Sequence, residues 1–315
     1  MKTSGTAPFT FAYRDDFRNM PAAAQAHEAK LHGGFAQDTR PGQGELYYGL
    51  VDCGIVQVSA DLTRQAIIDL PPELRGVNFH STRLATIEGK PRLVLAANLD
   101  ARVVVVGLDG QVDFELSRPE FEEYADAEQP FKPTDSALVD SRLYVADGYG
   151  SNYISTADPV GQMWRATFGG KTEDPTVHGR FGTAHGMNIA PDGAHLTVAD
   201  RLHARLELFT FDGEFRHSFA LPAGCRPCGI DYTEWDGRVY AAVGSLDDPD
   251  RTRSAPIYIL DGATHTVIST IRPKEELGID LADHIHNVVW HKHNGGLHLV
   301  CQSWNPGCYF VLELQ

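Results

Sequence analysis

Three stretches of the chain can be laid over one another: RLVLAANLDARVVVVGLDGQVDFEL, RLYVADGYGSNYISTADPVGQMWRATF and HLTVADRLHARLELFTFDGEFRHSF. Each is an apolar strand ending in Asn or Asp, a short turn, a second strand, a Gly-containing turn and a third strand. The landmark residues are Asn98, Asp147 and Asp200, so the intervals are 147 − 98 = 49 and 200 − 147 = 53 residues. Weaker copies begin near Leu46 (ELYYGLVDCGIVQVS), Val239 (RVYAAVGS) and Leu297 (LHLVCQSW), which makes six units. Short strands separated by DG, GG and PDG turns form antiparallel hairpins. A recurring unit of ~40–50 residues with four such strands cannot bury its apolar faces alone, and a ring of them can. Six units predict an all-β, six-bladed β-propeller over residues 45–315. Two stacked sandwiches would not require one recurring unit. Residues 1–44 then form an N-terminal extension, whose FTFAY segment can supply an outer strand to the last blade, beside CYFVLEL. The one stretch with fair helical periodicity is PAAAQAHEAKLHGG.

The charge balance is 27 − 42 = −15 with no basic cluster, which argues against nucleic acid or an anionic membrane as partner and leaves a small molecule. No apolar run approaches the ~20 residues that span a bilayer, and the N-terminus lacks the apolar core of a signal peptide. The five cysteines are odd in number and sparse, as in a reducing compartment, so a cytoplasmic location is expected. Cys225 and Cys228 form a lone CRPC, for which a structural or incidental role outweighs zinc binding.

Three histidines share one phase of the repeat. His80 lies 18 residues before Asn98, His185 lies 15 before Asp200, and His286 lies 16 before Gln302, taken as the sixth unit's landmark. All three fall at the start of the innermost strand of blades two, four and six. Alternate blades of a six-fold ring stand about 120° apart, so three imidazoles converge on the axis from three sides. That is a facial nitrogen site with open positions, the form of a catalytic metal centre. His178, His195, His203, His217, His265, His291, His293 and His298 show no such phase and read as ordinary. His284, two residues before His286, can share its strand face.

The turn after each landmark lies on the same face of the disc as the strand starts that carry the histidines. Tyr149 therefore overhangs the metal from blade three and Arg201 from blade four. The alternatives are an exposed turn tyrosine and an arginine paired with an acid such as Glu207.

FKPTDSALVDSRLYVADGYGSN, GRFGTAHGMNIAPDGAHLTVADRLHARLELF and, more weakly, VNFHSTRLA and DHIHNVV resemble the peptidyl-α-hydroxyglycine α-amidating lyase family, NHL-type six-bladed propellers with a catalytic zinc. The resemblance covers residues 77–216 and 280–315, as a divergent member, and is poor over the first 45 residues and the fifth blade. It implies that His80, His185 and His286 are metal ligands, that Tyr149 is the catalytic tyrosine, and that Arg201 contacts substrate. A second family arginine has no clear counterpart; Arg40 and Arg83 are the choices. The family's half-cystine beside the tyrosine is Gly150 here. Asn287 stands in place of an Asp that helps bind a structural calcium, so Ca2+ is not carried over. His284 replaces an apolar pocket residue, so Arg83, His284 and Asn287 are additional pocket candidates.

The family reaction breaks a carbinolamide C–N bond. The sequence therefore points to a zinc-dependent lyase or hydro-lyase, with Fe2+ or another divalent ion as the other choice of metal, acting on a small hydroxylated, anionic compound. Tyr149 would be the base and Arg201 the carboxylate clamp. Three alternatives stand beside it: a calcium-dependent lactonase-type hydrolase, built from oxygen ligands; a four-His iron oxygenase, should His284 also bind; and a binding propeller without chemistry.

Overall fold

The computed structural model describes residues 2–126 and 128–315. Its strands form six antiparallel sheets, and the chain is a six-bladed β-propeller. The innermost strands are Ala36–Gln37, Phe79–Ile87, Asp135–Val139, Ala184–Ile189, Pro227–Trp235 and Ile285–His293. Each is followed outward by its successors in chain order, joined by short turns, except for the two outermost strands of the last blade. The first blade takes its inner strand from Ala36–Gln37, ahead of Leu46 where the repeat becomes visible in the sequence.

The last blade has five strands. Phe9–Tyr13 pairs antiparallel with Cys308–Leu314, Phe11 opposite Leu314, and Thr3–Thr6 lies outside it. An outer strand from the opposite end of the chain ties the ring shut and covers an edge that would otherwise present free backbone groups.

Apolar side chains fill the seams between blades. Phe9, Phe11, Trp290 and Phe310 join blades five and six, and Phe181, Met187 and Phe209 join three and four. The inward–outward alternation of a strand buried on both faces explains why Val103, Val104, Val105 and Val106 are all fully buried. Each such side chain contributes ~1.5–3 kcal/mol.

The segment with helical periodicity makes only one α-turn, Ala22–Gln25, and one 3-10 turn, Glu28–Lys30. Local propensity yields there to contacts with the last blade. The buried Glu28 carboxylate accepts the Tyr309 N–H at 2.9 Å and pairs with Arg18, and the Gly307 N–H bonds the Ala29 carbonyl at 3.0 Å. Leu31 is fully buried against blades six and one. The residue after it is thereby delivered to the mouth of the channel.

Candidate metal and catalytic site

Four of the inner strands carry a register break near their first residue. The pairing skips His80, between Phe79 and Ser81; His185, between Ala184 and Gly186; Cys228, between Pro227 and Gly229; and His286, between Ile285 and Asn287. A bulge leaves one residue out of the ladder and re-aims its side chain. These four therefore face the channel instead of following the strand's alternation. In the sixth blade the residue opposite the position before the bulge is Ser303, one beyond Gln302.

The three bulged histidines meet. Ring centroids are 4.7 Å apart for His80–His185, 4.7 Å for His80–His286 and 4.9 Å for His185–His286, and the rings are steeply inclined to one another. All three are almost completely buried. The His80 Nδ1–H donates to the Thr134 carbonyl at 2.7 Å, and the His185 Nδ1–H donates to the Cys228 carbonyl. Blades two and four thus orient their imidazoles on the next blade round, which leaves Nε2 of His80 and His185 as the inward nitrogen. His80 Nε2 and both nitrogens of His286 are buried without a partner. Burial pushes all three pKa values well below the ordinary value, so the rings are neutral. Buried, unpartnered, neutral nitrogens fit a divalent ion better than they fit an empty core, where each costs ~1–3 kcal/mol.

Tyr149 stands beside them. Its hydroxyl is 3.0 Å from His185 Nε2 and accepts from Arg201 Nη1 at 2.8 Å, and its ring lies edge-on to His80 at 4.9 Å. Arg201 Nη2 also reaches His185 Nε2 at 2.5 Å and the Cys228 thiol at 3.1 Å. Burial raises the Tyr149 pKa and the neighbouring Arg201 guanidinium opposes that rise. The Tyr149 turn is held by Asp147, whose buried carboxylate accepts the Lys132 N–H at 2.5 Å, the Ser151 N–H at 2.7 Å and the Tyr124 hydroxyl at 3.0 Å. The glycines on either side follow from crowding. A Cβ on Gly148 would sit 2.0 Å from the Ala184 carbonyl oxygen, and one on Gly150 would sit 2.1 Å from Asp147 Oδ1.

A fourth imidazole arrives from the lead-in segment. His32 is 4.6 Å from both His80 and His286 by ring centroid and stacks on Trp304 at 5.1 Å. Its Nδ1 faces Asn78 Nδ2 at 3.0 Å, which also donates to Asn98 Oδ1 at 3.1 Å. Burial lowers its pKa to about 4. The ligand nitrogens of His32, His80 and His286 lie within 4.8 Å of one another. His185 makes equally close ring contacts, but its Nε2 is engaged by Arg201 and Tyr149.

The remaining candidates lie elsewhere. The His284 Nδ1–H donates to the Leu246 carbonyl at 2.6 Å, and its ring contact is with Trp304 at 6.3 Å. Asn287 Oδ1 accepts the Phe35 N–H at 3.2 Å. Arg83 lies further down the channel, where it holds Asp135 by two bonds of 2.8 and 2.5 Å and donates to the Met187 carbonyl. Arg40 pairs with Asp38 past the far end of the first inner strand. Glu207 is taken by Arg205 and His178, not by Arg201. A cleft of about 510 Å³ between the outer strands of blades three and four carries only surface ion pairs such as Arg165–Asp158.

The sequence carries no sign of His32, and it marks Cys228 only as half of a lone CRPC. His32 precedes the first blade, where no repeat marks its phase. Cys228 was within reach, since it precedes Ser245, its blade's strand end, by 245 − 228 = 17 residues, in line with the histidines.

No family model and no curated protein matches the chain. Among solved structures, a gluconolactonase from Xanthomonas campestris aligns over 100% of this chain and 95% of its own, with TM-score 0.64 and 12% identity. A streptogramin B lyase aligns over 97% and 98%, with TM-score 0.58 and 11% identity. Kuenenia stuttgartiensis hydrazine synthase matches less completely, over 67% of this chain and 53% of that one, with TM-score 0.48 and 17% identity. At 11–12% identity the gluconolactonase and the streptogramin B lyase share the propeller fold with this chain and nothing finer.

Proposed function

We propose that the protein is a metal-dependent lyase that cleaves a C–N or C–O bond in a small, hydroxylated, anionic substrate, as the α-hydroxyglycine amidating lyases do. The observation that carries it is the convergence of three buried, neutral imidazoles beside a tyrosine held by an arginine. His80, His185 and His286 would hold the ion through Nε2, with His185 exchanging its contact with Arg201 for the metal. A zinc or other divalent ion bound there would supply Lewis-acid stabilisation to a substrate oxygen.

The chain's own groups supply the proton chemistry. Tyr149, as the phenolate that the Arg201 guanidinium and a bound cation would favour against its burial, takes the proton of the substrate hydroxyl. As the C–O bond becomes a carbonyl, the electron pair of the C–N bond leaves with nitrogen, and the Tyr149 hydroxyl returns the proton to that nitrogen. Arg201 places a positive charge where a substrate carboxylate would sit, and its Nε has no partner in the structure. The near-complete burial of the histidines keeps bulk water from the reacting centre.

A lactonase of the calcium type requires oxygen ligands. The groups that converge here are imidazole nitrogens, which suit zinc or iron.

The test is release of glyoxylate from an N-acyl-α-hydroxyglycine by the purified protein, before and after chelation. Release that stops on metal removal and returns with a divalent ion supports the proposal. Release that is absent with every divalent ion, or indifferent to chelation, overturns it.

A further inference from the structure

We infer that His32 is a fourth metal ligand, so that the centre is a four-imidazole site whose ion takes five or six ligands. This rests on the metal reading above and deepens it.

Position carries the first part of the case. His32 approaches His80 and His286 as closely as the three channel histidines approach one another, at 4.6 Å against 4.7–4.9 Å between centroids. The ligand nitrogens of His32, His80 and His286 already lie within 4.8 Å of one another. Nitrogens bound to one ion at about 2.1 Å stand roughly 3–3.5 Å apart, so only a small closure is needed.

Available lone pairs carry the second. His286 has two buried nitrogens without a partner and His80 has one. His185, by contrast, has its Nε2 occupied by Arg201 and Tyr149. The nitrogens free to receive an ion therefore lie on the His32 side of the cluster. Nδ1 of His32 is held by Asn78, which leaves Nε2 for the ion. With Nε2 bound, Nδ1 carries the proton. Asn78 then turns its amide to accept that proton, and Asn98 turns to donate in exchange; both amides reach this by a half-rotation.

The backbone is built to hold the ring there. A Cβ on Gly33 would come within 2.7 Å of the Phe79 carbonyl oxygen, and one on Gly34 within 3.1 Å of Asn287 Nδ2. A side chain at position 33 would meet backbone, so glycine there lets this segment approach the second blade closely, and Trp304 stacks on the His32 ring from outside.

Two chemical consequences follow. Four nitrogens fill a tetrahedral zinc, so an ion with open positions must accept higher coordination, as ferrous, manganous or cobaltous ions do. Four neutral donors also leave the ion's charge uncompensated beside Arg201, which selects an anionic substrate.

The experiment titrates the metal-free full-length protein with Co2+ against a chelator and records the visible spectrum. Wild type is compared with His32→Ala and with His265→Ala, a buried histidine outside the cluster. The inference predicts roughly tenfold or greater loss of affinity in His32→Ala. Its Co2+ bands should intensify as the coordination number falls, while His265→Ala matches wild type. X-ray absorption on the wild-type Co2+ protein should count four imidazoles and needs no variant. Unchanged affinity and spectrum in His32→Ala, or a count of three, would overturn the fourth ligand and leave the metal site standing. A wild type that binds no Co2+ would remove the metal reading beneath both.

Discussion

Replacing Tyr149 with Phe removes one oxygen and leaves two groups facing the gap, Arg201 Nη1 at 2.8 Å and His185 Nε2 at 3.0 Å. A hydrogen bond to a charged group contributes about 1.5–3 kcal/mol, and partial exposure of Tyr149 brings this to about 1–2 kcal/mol. For 315 residues the unfolding entropy near the midpoint is about 0.7 kcal/mol per degree, so Tm should fall by only about 1.5–3 °C. The fold and the histidine cluster should therefore survive. The chemical step does not, because loss of a positioned base costs roughly 10²–10⁴-fold, or about 3–5 kcal/mol of transition-state stabilisation. The assay is kcat for glyoxylate release at equal metal occupancy, with Tm measured on the same preparations. A large loss in kcat with a small loss in Tm separates catalysis from packing. An unchanged kcat would refute the proton-transfer role and leave Tyr149 as a turn residue.

Two further outcomes test the scaffold and the protonation states. Gly148→Ala puts a methyl 2.0 Å from the Ala184 oxygen, so the turn must shift; thermal unfolding should show a loss above 2 kcal/mol, and a silent substitution would contradict the crowding argument. The metal-free protein should lose stability as pH falls. Folding holds His32, His80, His185 and His286 neutral, with His32 lowered to about 4, whereas the unfolded chain protonates them near 6.5. Their contribution is present in full above pH 6.5 and is lost as pH falls toward the folded values. Each group contributes up to about 1.4 kcal/mol per pH unit in that window. Urea midpoints between pH 7.5 and 5 read this directly, and a flat profile would contradict it.

The ring was legible because a propeller writes its geometry into the chain as a period. Landmarks Asn98, Asp147 and Asp200 fixed the blade length, and the same grid placed His80, His185 and His286 in one phase. The bulges that turn these side chains inward leave no signature of their own; they appear only in pairing. The same phase holds for Cys228, whose thiol meets Arg201, although in a lone CRPC it reads as structural or incidental. His32 had no such support. It lies in a non-repeating lead-in placed by Glu28, Leu31 and the last blade, contacts that join residues nearly 280 apart in the chain. His284 shows the opposite failure: spacing of two would share a face on a strand, yet the strand begins only at Ile285, and His284 turns to the Leu246 carbonyl.

Metal analysis of the purified wild type, together with His80→Ala, His185→Ala and His286→Ala, bears most directly on the central claim. One divalent ion per chain is expected in wild type, and each substitution should remove most of it while the protein stays folded. A wild type that carries no divalent ion and takes up none, or three variants that all retain it in full, would contradict a metal centre on the propeller axis.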